Sequence, residues 1–157
     1  MLSAGHTGST NQVLDSGVSG SNLTTQPVKI SHIGIAVSDL EKALSDFGKI
    51  FDTSSVELTE VREEGVRVAM ITLGDAEIEL LSPTGDSGAI AKFLKDRGEG
   101  IHHLAVKVDD VHMAIEKSKE KGLRMIDQVP RTGARGTGAA FVHPKSLHGV
   151  LLEFYDR

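Results

Sequence analysis

Cysteine is absent from the 157 residues, which excludes a disulfide framework, thiolate-bound zinc, iron–sulfur clusters and thiol nucleophiles. Any metal must then be held by nitrogen and oxygen. Tryptophan is also missing, and only five Phe and one Tyr occur, so aromatic platforms for stacking unpaired bases are scarce. Positive charge is in deficit, with 17 Lys and Arg against 22 Asp and Glu for a formal net charge of −5. Without a general excess of cations to neutralise phosphates, nucleic acid is not expected as a partner. No apolar run approaches the ~20 residues of a membrane helix, and the N-terminus lacks the basic-then-apolar layout of a secretory signal. The expectation is a soluble, intracellular protein with no membrane partner.

What remains is one domain's worth of chain, on the rough prior of ~150 residues per domain. Residues 1–26 stand apart: Ser, Thr, Gly, Asn and Gln make up 17 of the 26, and Asp15 is their only formally charged side chain. Such a segment buries too little apolar area to offset its ordering entropy, so it is expected to be a disordered tail, with the folded domain over 27–157.

Within that domain the chain says the same thing twice. SHIGIAVSDLEKAL begins at Ser31 and HHLAVKVDDVHMAI at His102, so His32 and His103 correspond at an offset of 71 residues. In each copy a His opens an alternating strand that passes into an acidic helix start. Ser38 with Glu41 resembles a capping box, and Asp109 or Asp110 suits the second N-cap. The copies close on AEIELLS and GVLLEFY, which places Glu79 opposite Glu153 with a three-residue insertion in the second half. Two tandem modules, about 28–84 and 99–156, are therefore expected, joined by a helix near 88–97. Each reads as strand, helix and three strands: 30–37, 39–51, 55–61, 65–73 and 76–82, then 101–108, 110–121, 123–128, 138–143 and 149–155. Hairpin-length turns between the later strands argue an α+β fold with mostly antiparallel pairing.

Period-two alternation assigns faces. Ile33, Ile35 and Val37 share a core face, leaving His32, Gly34 and Ala36 opposite. Leu104, Val106 and Val108 likewise leave His103, Ala105 and Lys107, with His102 on the core side. Ile78 and Leu80 leave Glu79, and Val150, Leu152 and Phe154 leave Glu153. Two His and two Glu thus fall on the non-core faces of equivalent strands. One reading is a set of polar residues on a solvated face. The other is a site for a divalent ion such as cobalt, manganese, nickel, iron or zinc, assembled if the two modules curl so that these faces meet.

In order, HIGIAVSDLEKA, GVRVAMITLGDAEIELLSP, GIHHLAVKVDD and FVHPKSLHGVLLE resemble the hallmark segments of the methylmalonyl-CoA epimerase family, part of the vicinal oxygen chelate (glyoxalase-like) superfamily. The likeness covers about residues 28–154. The first segment is common across the superfamily, and its combination with HPKS and HGVLLE narrows the match. The resemblance implies paired βαβββ modules forming an open, incompletely closed β-barrel around a divalent metal, cobalt foremost, with manganese, nickel or zinc as alternatives. It places the metal ligands on His32, Glu79, His103 and Glu153. It also implies interconversion of (R)- and (S)-methylmalonyl-CoA through a metal-stabilised enolate, in propionyl-CoA metabolism, by a homodimer of the cytoplasm, or of the mitochondrial matrix in a eukaryote. In VREEGVRV the register favours Glu63 over Glu64 as one base, and inversion at a carbon acid needs a second, assigned to Glu153. Arg131, Arg135 and Lys145 are candidates to meet coenzyme A phosphates. Two alternatives share the fold: a lactoylglutathione lyase with a similar His and Glu set, and a metal-free small-molecule binding module.

Overall fold

The structure, a computed structural model, describes residues 29–132 and 136–156. The expected tail over 1–26, and Arg135, lie outside the described residues. The elements are β1 (Lys29–Ala36), α1 (Leu40–Phe47), β2 (Leu58–Val61), β3 (Val66–Leu73), β4 (Ala76–Pro83), α2 (Ala89–Arg97), β5 (Gly100–Lys107), α3 (Val111–Glu120), β6 (Arg131–Thr132), β7 (Gly138–Val142) and β8 (Leu152–Tyr155). They build one mixed eight-stranded sheet in the order β2-β3-β4-β1-β5-β8-β7-β6, curled into an open half-barrel. The first strands of the two halves pair antiparallel at its centre. Each is flanked by the last strand of its own half in parallel, β4 beside β1 and β8 beside β5. The remaining pairings are antiparallel hairpins.

Helices α1 and α3 cover the outer face by the same spacing. Leu40, Ala43, Leu44 and Phe47 of α1 pack on Ile35, Ala69, Ile71 and Leu80. The buried residues of α3 are Val111, Ala114, Ile115 and Ser118, each 71 positions later in the chain. Positions i, i+3, i+4 and i+7 form one helical stripe, and each fully buried aliphatic side chain in it contributes roughly 1.5–3 kcal/mol. Helix α2 closes another side, with Ile90, Phe93 and Leu94 against Ala36, Val66, Val68 and Leu81.

Local chemistry departs from the sequence expectation at three places. The cap of α1 is Asp39, which accepts the Lys42 amide at 2.9 Å; Glu41 instead bonds Arg67, and the Ser38 amide goes to Glu99, so no capping box forms. Asp110 caps α3 as expected. No strand forms over 123–128. After the isolated bridge from Met125 to Val142, the carboxylate of Asp127 takes the Phe141 amide at 2.7 Å, and Pro130 has no amide to offer the ladder; the short β6 takes up the pairing instead. The last strand starts at Leu152, because His148 and Gly149 turn through positive φ of 52° and 92°. Val150, expected in the core, is consequently outside the ladder and 46% exposed.

Candidate metal centre

The sheet register explains why four candidate ligands come together. Gly34 lies between Glu79 on β4 and His103 on β5. Ala105, its counterpart in the second half, lies between His32 on β1 and Glu153 on β8. Two neighbouring rows therefore read ligand, small residue, ligand, and each half contributes one His and one Glu. A side chain at the central position would fill the space: a Cβ on Gly34 would overlap the imidazole of His103.

All four residues are at least 94% buried, with His32 at 3%, Glu79 and His103 at 5% and Glu153 at 6% exposure. The face opposite α1 and α3 is thus a second interior and not a solvated surface. His32 Nε2, His103 Nε2 and Glu153 Oε2 stand 3.1 Å from one another. Glu79 Oε2 is 3.5 Å from both imidazole nitrogens. The two imidazole nitrogens and the Glu153 carboxylate form a buried donor set that fits a divalent ion of the borderline-to-hard kind, with the Glu79 carboxylate beside both imidazoles. The outer ring nitrogens are engaged elsewhere, as ligating imidazoles require: His32 Nδ1 meets Ser31 Oγ at 3.2 Å, and His103 Nδ1 meets His102 Nδ1 at 3.0 Å. Ring edges brace both, Tyr155 against His32 and Phe141 against His103, at centroid distances of 5.3 and 5.5 Å.

Electrostatics agree with a cation-seeking site. Burial acts to raise the Glu153 carboxyl, but hydrogen bonds from His103 and His32 outweigh it and hold it at about 2. Burial acts to lower His32, and its bond to Glu153 with the charge of Glu79 raises it instead. Burial raises Glu79. His102 is pushed down to about 4 by burial and by His103 beside it. The cluster opens into a cavity of about 390 Å³ lined also by Glu63, Glu64, Leu151, Phe141 and Arg131. Arg131 is the one Lys or Arg among the described residues that line it; it pairs with Asp127 at 3.1 Å and sits 4.7 Å over the Phe141 ring.

Of the residues singled out in the sequence, His32, Glu79, His103 and Glu153 converge, and Glu63 lines the same cavity from the β2–β3 turn. Glu64 lines it too, and desolvation raises its carboxyl. His102 departs from the expected core parity and faces the cavity, and Lys145 is not among the lining residues. A structural or hydrogen-bonding role is the one the sequence assigns to His102, and its contact with His103 agrees; the contribution of Ser31, Phe141 and Tyr155 is not among the sequence expectations. The dipeptides Ser31-His32 and His102-His103, at the repeat offset, were the available signal.

Comparison with known proteins follows the same lines. The glyoxalase/bleomycin resistance protein/dioxygenase superfamily model matches residues 31–141. The chain is similar to human mitochondrial methylmalonyl-CoA epimerase, 38% identical over 148 residues, spanning 92% of this chain and 81% of that one. It is 37% identical over 127 residues to the ethylmalonyl-CoA/methylmalonyl-CoA epimerase of Cereibacter sphaeroides, spanning 80% and 95%. Among solved structures, a methylmalonyl-CoA epimerase in complex with methylmalonyl-CoA and ammonium superposes with a TM-score of 0.75 at 35% identity, over 82% of this chain and 94% of that one.

Proposed function

The chain belongs to the glyoxalase/bleomycin resistance protein/dioxygenase superfamily, and from that premise we propose that it is an epimerase interconverting (R)- and (S)-methylmalonyl-CoA. The observation that carries the reading is the buried cluster of His32, His103 and Glu153, with Glu79 at 3.5 Å from both imidazoles, in a chain 35–38% identical to epimerases over most of its length. His32, Glu79, His103 and Glu153 would hold a divalent ion, with cobalt the first choice and manganese, nickel or zinc as alternatives. When bound, such an ion supplies positive charge against the thioester and carboxylate oxygens, where negative charge develops on proton loss.

The protein's own groups perform the proton transfers. Inversion at the α-carbon requires removal from one face and return to the other, hence two acid–base groups from different directions. Those roles fall to Glu63, on the β2–β3 turn, and Glu153, buried on β8, which both line the cavity. Hydrogen bonds from the two imidazoles keep Glu153 ionised, the form in which a carboxylate can act as a base. The apolar wall of Val66, Val68, Leu81 and Ile90 lines the cavity and excludes water from the reacting carbon. Arg131 offers its positive charge to the substrate's anionic groups. The enzyme acts as a homodimer in the cytoplasm, or in the mitochondrial matrix of a eukaryotic cell. No helix among the described residues is long and apolar enough to cross a membrane.

The test is incubation of one enantiomer of methylmalonyl-CoA with the protein in deuterated water, with and without a chelator. Deuterium should enter the α-carbon as the second enantiomer appears, with loss on chelation and recovery on adding a divalent ion. Absence of exchange under every metal tested, with lactoylglutathione formed from methylglyoxal and glutathione, would replace this reading by the lyase.

A further inference from the structure

Strand alternation sends neighbouring side chains to opposite faces, so the residue before each ligating histidine should point away from it. Neither does, and the β1–β5 register gives the reason. Between the pairs Ile30 with Val106 and His32 with Ala105, β1 carries one extra residue; between Gly34 with His103 and Ile35 with Ile101, β5 carries one. The extra residues are Ser31 and His102. They are β-bulges, which locally break the alternation and re-aim side chains, and they occupy equivalent places in the two halves, 71 positions apart.

We propose that Ser31 and His102 are a duplicated pair of positioning residues, each brought by a β-bulge onto the outer nitrogen of the adjacent histidine so that its Nε2 lone pair faces the metal position. The inference rests on the reading of His32 and His103 as ligands. A neutral imidazole has one ring proton, and a ligand must keep it on the nitrogen away from the ion. His103 Nδ1 lies 3.0 Å from His102 Nδ1, so with His103 as a ligand its Nδ1 proton would be donated to His102, whose own proton would then sit on Nε2. Phe93 of α2 seats the His102 ring edge-on at 5.1 Å, so this acceptor is held in place. The Ser31 hydroxyl, 3.2 Å from His32 Nδ1, can rotate to donate or accept and therefore exerts the weaker control.

Zinc affinity measured by competition with a chromophoric chelator separates positioning from packing. His102→Phe keeps an aromatic ring against Phe93 but removes the acceptor, and its affinity should fall by about 10- to 100-fold, the usual loss with an outer partner of a ligating imidazole. His102→Asn loses volume but restores an acceptor oxygen, and should recover most of the affinity. Ser31→Ala should cost a few-fold and Ser31→Thr little. In the zinc-loaded protein, the slowly exchanging Nδ1 proton of His103 should be visible by NMR in the parent and in His102→Asn, and lost in His102→Phe. Parent-like affinity in His102→Phe, or a weaker His102→Asn than His102→Phe, would overturn the proposal alone. A parent that takes up no divalent ion would overturn the ligand reading and this inference with it.

Discussion

Gly34 separates the proposed ligands Glu79 and His103 across the sheet, and even a methyl group there would displace the His103 ring. Gly34→Ala should therefore abolish tight metal binding while the helices and outer core stay intact; elemental analysis of the purified variant, with circular dichroism as the control, checks this. Overpacking of this kind also costs about 1–3 kcal/mol of stability. The bases form the second residue-scale prediction. Glu63→Gln keeps shape but loses basicity, so epimerisation should fall by about 10²–10⁴-fold with metal content unchanged, while α-proton exchange from one enantiomer survives through Glu153. Glu64→Gln should do much less. The reverse outcome would shift the base by one residue, onto the carboxylate that feels Glu153 and His103.

At the scale of elements, each module positions its ligand strand with a helix capped by an Asp, and the caps are separable from the chemistry. Asp110 accepts the Met113 amide at 2.9 Å, and Asp110→Ala should lower stability by about 1 kcal/mol, read as a reduced urea midpoint with an unchanged m value. Asp46, on α1, takes bonds from Lys42 and Lys49, which hold its carboxyl at about 2 in place of the ordinary 3.8. Because the folded pKa is depressed, the associated stability is present above pH 3.8 and is lost as pH falls toward 2. Asp46→Asn should accordingly melt slightly earlier at pH 7 and together with the parent near pH 2. The difference should shrink in high salt, since these side chains are exposed.

For the whole molecule, the site is the place where the two halves share a function: His32 and Glu79 come from the first, His103 and Glu153 from the second. An ion bound only by the folded arrangement stabilises it by mass action, about 2.7 kcal/mol at 100 times the dissociation constant. The thermal midpoint should rise with added divalent ion and return with chelator. In His103→Ala neither change should occur, and stoichiometric metal in that variant would remove His103 from the ligand set.

The sequence by itself determined the repeat, the helical stripes, the parity of His32, Glu79, His103 and Glu153, and the small residues between them, because strand period and repeat offset are local arithmetic. The missing strand over 123–128 was not legible, because it turned on the Asp127 carboxylate competing with a backbone acceptor across the sheet. Only the tertiary structure decided that the polar face is an interior, since that depends on the curl that turns four separated strands toward one point. It also decided the place of His102, which alternation put in the core. A β-bulge is a mismatch between two paired strands, and no property of one strand read alone specifies it.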